Sequence, residues 1–210
     1  MKKSDKKSGS SKSGPTEKIN WKKLRKQIKK LQSPRRYEHT LGVEYTAAAL
    51  AMRYGVSMED AQLAGLLHDC AKCMPDEKLL EFCEKHSIPV TAEERKSPFL
   101  LHGKAGGYLA EKKYGIKNPD IISAIVCHTT GKPEMNLLEK IIFIADYIEP
   151  GRKRAAGLAE IRKLAFSDLD AALVRILGNT LDYLKGSAYN IDPHTEETWK
   201  YYCDKTNRKK

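Results

Sequence analysis

The sequence has little that would place the protein in or beyond a membrane. No apolar run is long enough to span a bilayer, and the N-terminal segment has no apolar stretch suited to a signal peptide. The five cysteines are an odd number without disulfide-like spacing, which fits a reducing compartment. Together these features predict a cytoplasmic protein.

Net positive charge is concentrated in the N-terminal segment. Residues 1–30 carry a net charge of +10, with 12 Lys or Arg against Asp5 and Glu17, whereas residues 31–210 carry +1. Residues 1–16 have too few apolar side chains to offset the entropy of ordering, so we predict a disordered basic tail there and one domain over residues 17–205. Such a tail is usually a solubilising extension, but it can also contact RNA weakly through counterion release.

The alternation typical of half-buried strands is almost absent, and apolar residues recur instead at helical spacing. The sequence therefore predicts an all-α fold, a single helical bundle. Pro34 is expected to open a helix that Gly55 ends, Ser57 to cap the next, and Pro75 to open a fourth. The first helix is expected between Trp21 and Ser33, the third to reach His68 and Asp69, and the others near residues 98–114, 118–128, 137–148, 168–185 and 193–204.

Six imidazole and carboxylate side chains are spread over five segments of the chain. This spacing suits a metal site assembled inside a helical bundle, not a finger held by local loops. The donor set favours iron, manganese, cobalt, nickel or zinc over magnesium alone. An isolated His-Asp pair is more often a hydrogen-bonded pair at a helix end, so the prediction depends on the whole set. The predicted metal ligands are His39, His68, Asp69, His102, His128 and Asp146.

Asp146 strengthens this prediction because it follows the strongly apolar residues 141–145. A carboxylate among such residues is costly to bury unless it is paired or bound to a metal. We therefore expect Asp146 to face a cation inside the protein.

Five short segments carry a family resemblance. They are RYEHT at 36–40, GLLHDCAK at 65–72, LHG at 101–103, HTTG at 128–131 and ADYIEPGR at 145–152. In this order they resemble the bacterial symmetrical diadenosine tetraphosphate hydrolases of the HD superfamily of metal-dependent phosphohydrolases. The resemblance covers about residues 19–202. It implies a helical fold, a buried two-metal centre holding iron, and hydrolysis of dinucleoside tetraphosphate to two nucleoside diphosphates.

The resemblance also implies roles for individual residues. His39, His68, Asp69 and Asp146 would hold one metal, His102 and His128 the other, and Asp69 would bridge them. A hydroxide between the two metals would attack the substrate. Asp69 and Lys72 are the predicted catalytic residues. Lys72 is placed from the residues themselves, because on a continuous helix it would lie one turn after His68 on the same face. The predicted substrate-binding residues are Arg35, Lys72, Thr129, Thr130, Gly131, Arg152 and Asn190.

Two other functions are compatible with the sequence. The protein could hydrolyse another nucleotide, such as a dNTP, a nucleoside monophosphate or a cyclic dinucleotide. It could also be a non-catalytic module that its tail tethers to RNA or the ribosome, although a complete set of ligands argues against that reading. The sequence leaves open the identity of the metal, the preference between adenine and guanine, and whether the protein forms a homodimer.

Overall fold

A computed structural model describes residues 19–186 and 192–208, which contain eleven α-helices and no β-strand. The all-α prediction is confirmed for this part of the chain. The predicted basic tail, residues 1–16, and the predicted substrate-binding residue Asn190 lie outside the described residues.

The helices follow one another with short connections. None of them is long and apolar enough to cross a membrane. A 3₁₀ turn (Pro98–Leu101) precedes α6. The helices are α1 (Trp21–Leu31), α2 (Pro34–Tyr54), α3 (Met58–Leu67), α4 (Asp76–Lys85), α5 (Ala92–Lys96), α6 (His102–Lys112), α7 (Pro119–Cys127), α8 (Leu137–Ile148), α9 (Leu158–Ala165), α10 (Leu169–Lys185) and α11 (Pro193–Asn207).

The predicted start and stop signals of α2 and α3 are confirmed. Pro34 opens α2, and Gly55 ends it with a φ of +72°, a left-handed conformation that favours glycine. The hydroxyl of Ser57 accepts a hydrogen bond from the Asp60 amide at 3.2 Å and so caps α3. Helices α7, α8, α10 and α11 lie within about three residues of their predicted bounds.

Other helix boundaries differ from the predictions. Helices α5 and α9 were not predicted, because they are only five and eight residues long and give little periodic signal. The predicted helix over 98–114 is divided into the 3₁₀ turn and α6. Helix α3 stops at Leu67, so Asp69 lies in the hydrogen-bonded turns that follow the helix.

Glycines let the helices of the core approach one another closely. A Cβ at Gly65 of α3 would lie 2.9 Å from the Cα of Glu44 in α2, and a Cβ at Gly103 of α6 would lie 2.6 Å from the carbonyl oxygen of Val126 in α7. Neither helix pair could keep this spacing with a larger residue. Helix α8 lies in the same core, with Ile141, Ile142 and Ile144 among its fully buried side chains. This packing brings helix ends that are distant in sequence to one place.

Candidate metal centre

All six predicted ligands meet at this place in the core. His39 comes from the second turn of α2, and Asp146 from near the end of α8. His68 and His128 directly follow α3 and α7, and His102 is the first residue of α6. Five separate segments therefore contribute to one cluster, as the spacing of the residues predicted.

The carboxylate of Asp69 lies at the middle of the cluster and is 3 % exposed. Its Oδ1 atom is 3.4 Å from Nε2 of His102 and 3.6 Å from Nε2 of His128. Its Oδ2 atom is 3.5 Å from Nε2 of His68 and 4.0 Å from Nε2 of His39. Each oxygen thus faces a different pair of histidines, which is the arrangement expected of a carboxylate that can bridge two cations.

Three of the histidines are oriented by the main chain. Because a carbonyl oxygen can only accept a hydrogen bond, the Nδ1 atom that contacts it must carry the proton, and a neutral ring then has its lone pair on Nε2. The Nε2 atoms are the ones that point into the cluster. In each case the acceptor is the carbonyl three residues earlier: His68 donates to Gly65 at 2.7 Å, His128 to Ile125 at 2.7 Å, and His102 to Phe99.

His39 is oriented differently, by a side chain. Its Nδ1 atom lies 3.1 Å from Oε1 of Glu149, a carboxylate that is 3 % exposed. Sequence reasoning did not single out Glu149, although it lies within the ADYIEPGR segment. The contact joins residues 110 positions apart, so no local pattern indicates it.

The cluster has the donors that a divalent transition metal needs. The buried Nε2 atoms of His39 and His68 have no hydrogen-bonding partner among the described residues. Ligand atoms of His39, His68 and Asp146 lie within 4.8 Å of one another, as do those of His68, Asp69 and His128. Nitrogen and carboxylate oxygen atoms grouped in this way fit such metals. His68 belongs to both groups, whereas the family resemblance assigned it to one metal.

Charge inside the cluster keeps the acids ionised. Burial alone would raise the pKa of Asp69, but the charge of His68 and the proximity of His128 hold it well below its ordinary value. Burial also opposes ionisation of Asp146, but the nearby His39, His68 and Arg152 together outweigh it, so the pKa of Asp146 is lowered too. Both carboxylates are therefore negative at neutral pH, which is the state in which they bind cations.

His102 and Lys72 lie together at one side of the cluster. Burial, aided by the charges of His128 and Lys72, lowers the pKa of His102 to about 3, so its ring is neutral. Nζ of Lys72 is 3.3 Å from Nδ1 of His102. The prediction that Lys72 lies on the same helix as His68 is wrong, because the helix ends at Leu67 and turns follow it. These turns nevertheless bring the amine of Lys72 to the cluster.

A basic cleft of about 680 Å³ opens beside His39. Arg35 and Arg152, both predicted to bind substrate, line this cleft, and so does Lys153. Nη2 of Arg152 is 2.9 Å from Oδ1 of Asp146. Arg36, which was not predicted, also lines the cleft, and its Nη1 is 2.8 Å from Oδ2 of Asp69.

The other predicted substrate-binding residues line a different cavity. Thr129, Thr130 and Gly131 border a pocket of about 190 Å³. The hydroxyl of Thr129 lies 3.2 Å from Nε2 of His102 and 3.2 Å from Nε2 of His128. The cluster therefore has the basic cleft on its His39 side and this smaller pocket on its His128 side.

A helical bundle in which histidines and aspartates follow this order along the chain and meet in one cluster is typical of HD-domain proteins. The family model described as "HD domain" matches residues 36–151. The solved structure of a "predicted HD superfamily hydrolase involved in NAD metabolism" from Clostridium acetobutylicum is similar, with a TM-score of 0.86 and 41% sequence identity, over 89% of this chain and 98% of that chain.

Curated relatives narrow this class. The chain is 38% identical to "Bis(5'-nucleosyl)-tetraphosphatase, symmetrical" from Bacillus subtilis, over 83% of this chain and 92% of the relative. It is 33% identical to the protein of the same name from Staphylococcus aureus, over 88% of this chain and 95% of the relative. The chain belongs to the HD-domain family of symmetrical bis(5'-nucleosyl)-tetraphosphatases and is a hydrolase.

Proposed function

We propose that the protein hydrolyses diadenosine tetraphosphate or a related dinucleoside tetraphosphate symmetrically, giving two nucleoside diphosphates. The observation that carries this proposal is the position of Asp69, whose two oxygens face two different pairs of histidines. A dinuclear centre of this kind suits the cleavage of a phosphoanhydride bond. The names of the curated relatives support this substrate class.

Two divalent metals fit the donor set, with iron favoured by the family resemblance and manganese, cobalt, nickel or zinc as alternatives. His39, His68 and Asp146 would hold one metal, and His102 and His128 the other. Asp69 would contact both. When bound, such a pair of metals supplies a hydroxide nucleophile from water at neutral pH and neutralises phosphate charge.

The remaining residues of the proposal bind and orient the substrate. Four phosphates and two aspartates together bring more negative charge than two divalent metals can balance, so cationic side chains are needed nearby. Arg35 and Arg152 supply that charge in the cleft, and Lys72 supplies it at the His102 side. The hydroxyl of Thr129 and the turn through Thr130 and Gly131 would hold phosphate oxygen at the smaller pocket.

Product analysis together with metal analysis tests the proposed function. Purified protein is incubated with diadenosine tetraphosphate, and the nucleotides are separated by chromatography. Symmetric hydrolysis gives ADP alone, whereas asymmetric cleavage gives AMP and ATP. Asp69→Ala is expected to lose bound metal and activity together. A fully active Asp69→Ala protein, or a wild type that cleaves only other nucleotides, would overturn the proposal.

The cytoplasmic location, a homodimer and weak binding of RNA by the tail stay predictions. The tail is tested by a salt titration of RNA binding that compares the full chain with a chain starting at Thr16. Equal binding by the two would discard a role for the tail, since each lost phosphate contact should reduce the dependence on salt.

A further inference from the structure

Of the four histidines in the cluster, His39 is the one whose Nδ1 atom contacts a carboxylate. His68, His102 and His128 donate to neutral backbone carbonyls, whereas His39 donates to the carboxylate of Glu149. We propose that Glu149 is a positioning residue that strengthens metal binding at the His39 side of the centre. This inference rests on the proposed two-metal centre.

Glu149 is held through both its side chain and its main chain. The amide of Gly151 donates to Oε2, and Nη2 of Arg162 donates to the Glu149 carbonyl at 2.8 Å. A Cβ at Gly42 would lie 2.5 Å from Oε2, and a Cβ at Gly151 would lie 2.9 Å from the same atom. The space that Glu149 occupies therefore exists because both neighbours lack side chains, and the carboxylate has little freedom to move.

This fixed carboxylate determines which nitrogen of His39 faces the cluster. An ionised carboxylate only accepts hydrogen bonds, so Nδ1 of His39 carries the proton and Nε2 is left to donate its lone pair. That Nε2 atom is 3.0 Å from Oδ1 of Asp146, inside the first group of ligand atoms. A negatively charged acceptor also makes the ring a stronger donor than a carbonyl does. The His39 side should therefore hold its metal more tightly because of Glu149.

Titration with Co²⁺ of the metal-free full-length protein tests the inference. Glu149→Gln keeps the size of the side chain but removes its charge, and we expect one of the two Co²⁺ sites to weaken about 10- to 100-fold. The other site should keep its affinity. Glu139→Gln is the matched control, because Glu139 is also a buried carboxylate but lies in α8 against Lys132 and Ser123, outside the cluster. This control should bind Co²⁺ like the wild type.

The same substitution in a protein that lacks His39 distinguishes action through His39 from a general structural effect. In His39→Gln protein, adding Glu149→Gln should cause no further loss of Co²⁺ affinity. Unchanged affinity in Glu149→Gln, or an equal loss in both backgrounds, would overturn the inference. If Glu149→Gln does not fold, Gly42→Ala provides the test instead, since its new Cβ displaces the carboxylate, and it should weaken the same site.

The two proposals can fail separately. A wild-type protein that binds no Co²⁺, or that binds it without hydrolysing the substrate, contradicts the proposed function. A wild type with two sites and activity, combined with a Glu149→Gln variant of unchanged Co²⁺ affinity, contradicts only the role of Glu149. The absorption spectrum of bound Co²⁺ gives an independent readout, because a change in the orientation or donor strength of His39 alters the ligand field.

Discussion

Replacing Gly103 with alanine should separate the two helices that carry His102 and His128. The new Cβ would lie 2.6 Å from the carbonyl oxygen of Val126, and that oxygen belongs to a helix backbone that cannot rotate away. Overpacking of this kind costs about 1–3 kcal/mol, whereas alanine gains about 1 kcal/mol over glycine in a helix. We therefore expect a net loss of about 1–2 kcal/mol, because a contact this short lies toward the costly end of the range.

Thermal unfolding and metal titration measure the two consequences. The Tm should fall by about 2–8 °C. Metal should also bind less tightly at the His102 and His128 pair, whose Nε2 atoms are 3.1 Å apart in the wild type. Gly178→Ala is the matched control in α10, since its Cβ would be 3.5 Å from Trp199 Nε1, an ordinary contact. It should be neutral or stabilising by up to about 1 kcal/mol. Equal stability and equal metal affinity in the two variants would refute the reasoning.

Three further predictions concern charge and metal. Lys72→Met should raise KM about tenfold or more, because a hydrogen bond to a charged group contributes about 1.5–3 kcal/mol, while the exposed Lys78→Met leaves steady-state kinetics unchanged. Arg152→Gln should likewise weaken substrate binding, measured as KM, and its neighbour Arg154→Gln should not; similar values for both would contradict a role for the cleft. Removing metal with a chelator should lower the Tm by about 5–10 °C relative to protein at a metal concentration of 100 Kd, since that ligation contributes about 2.7 kcal/mol.

The sequence predicts helices well where their boundaries have a local cause. Pro34, Gly55 and Ser57 act through their own backbone or a neighbouring amide, so α2 and α3 begin and end near the expected residues. Helix α5 is short and polar, and its stability depends on a capping box between Thr91 and Glu94. Helix α9 is similarly short. Whether α5 and α9 form depends more on packing against the rest of the protein than on the periodic spacing of apolar residues.

The candidate metal ligands could be predicted from the sequence, but two residues that orient or contact those ligands could not. His39 and Asp146 are ligand residue types, and Asp146 also follows an apolar helical run, so both are visible in a single sequence. Glu149 and Arg36 act on ligands through contacts that span 110 and 33 positions, and nothing in their local sequence shows those contacts. Supporting residues of this kind become apparent only when the helices are placed together.

The ends of α3 and α7 at His68 and His128 have a consequence for the order of binding. The C-terminus of a helix carries roughly half a unit of negative charge from its peptide dipoles, and two such ends point into the same space as Asp69. A polyphosphate entering this space without metal would be repelled, although the arginines of the cleft attract it to the rim. We therefore expect an ordered process in which cations load first and the nucleotide follows.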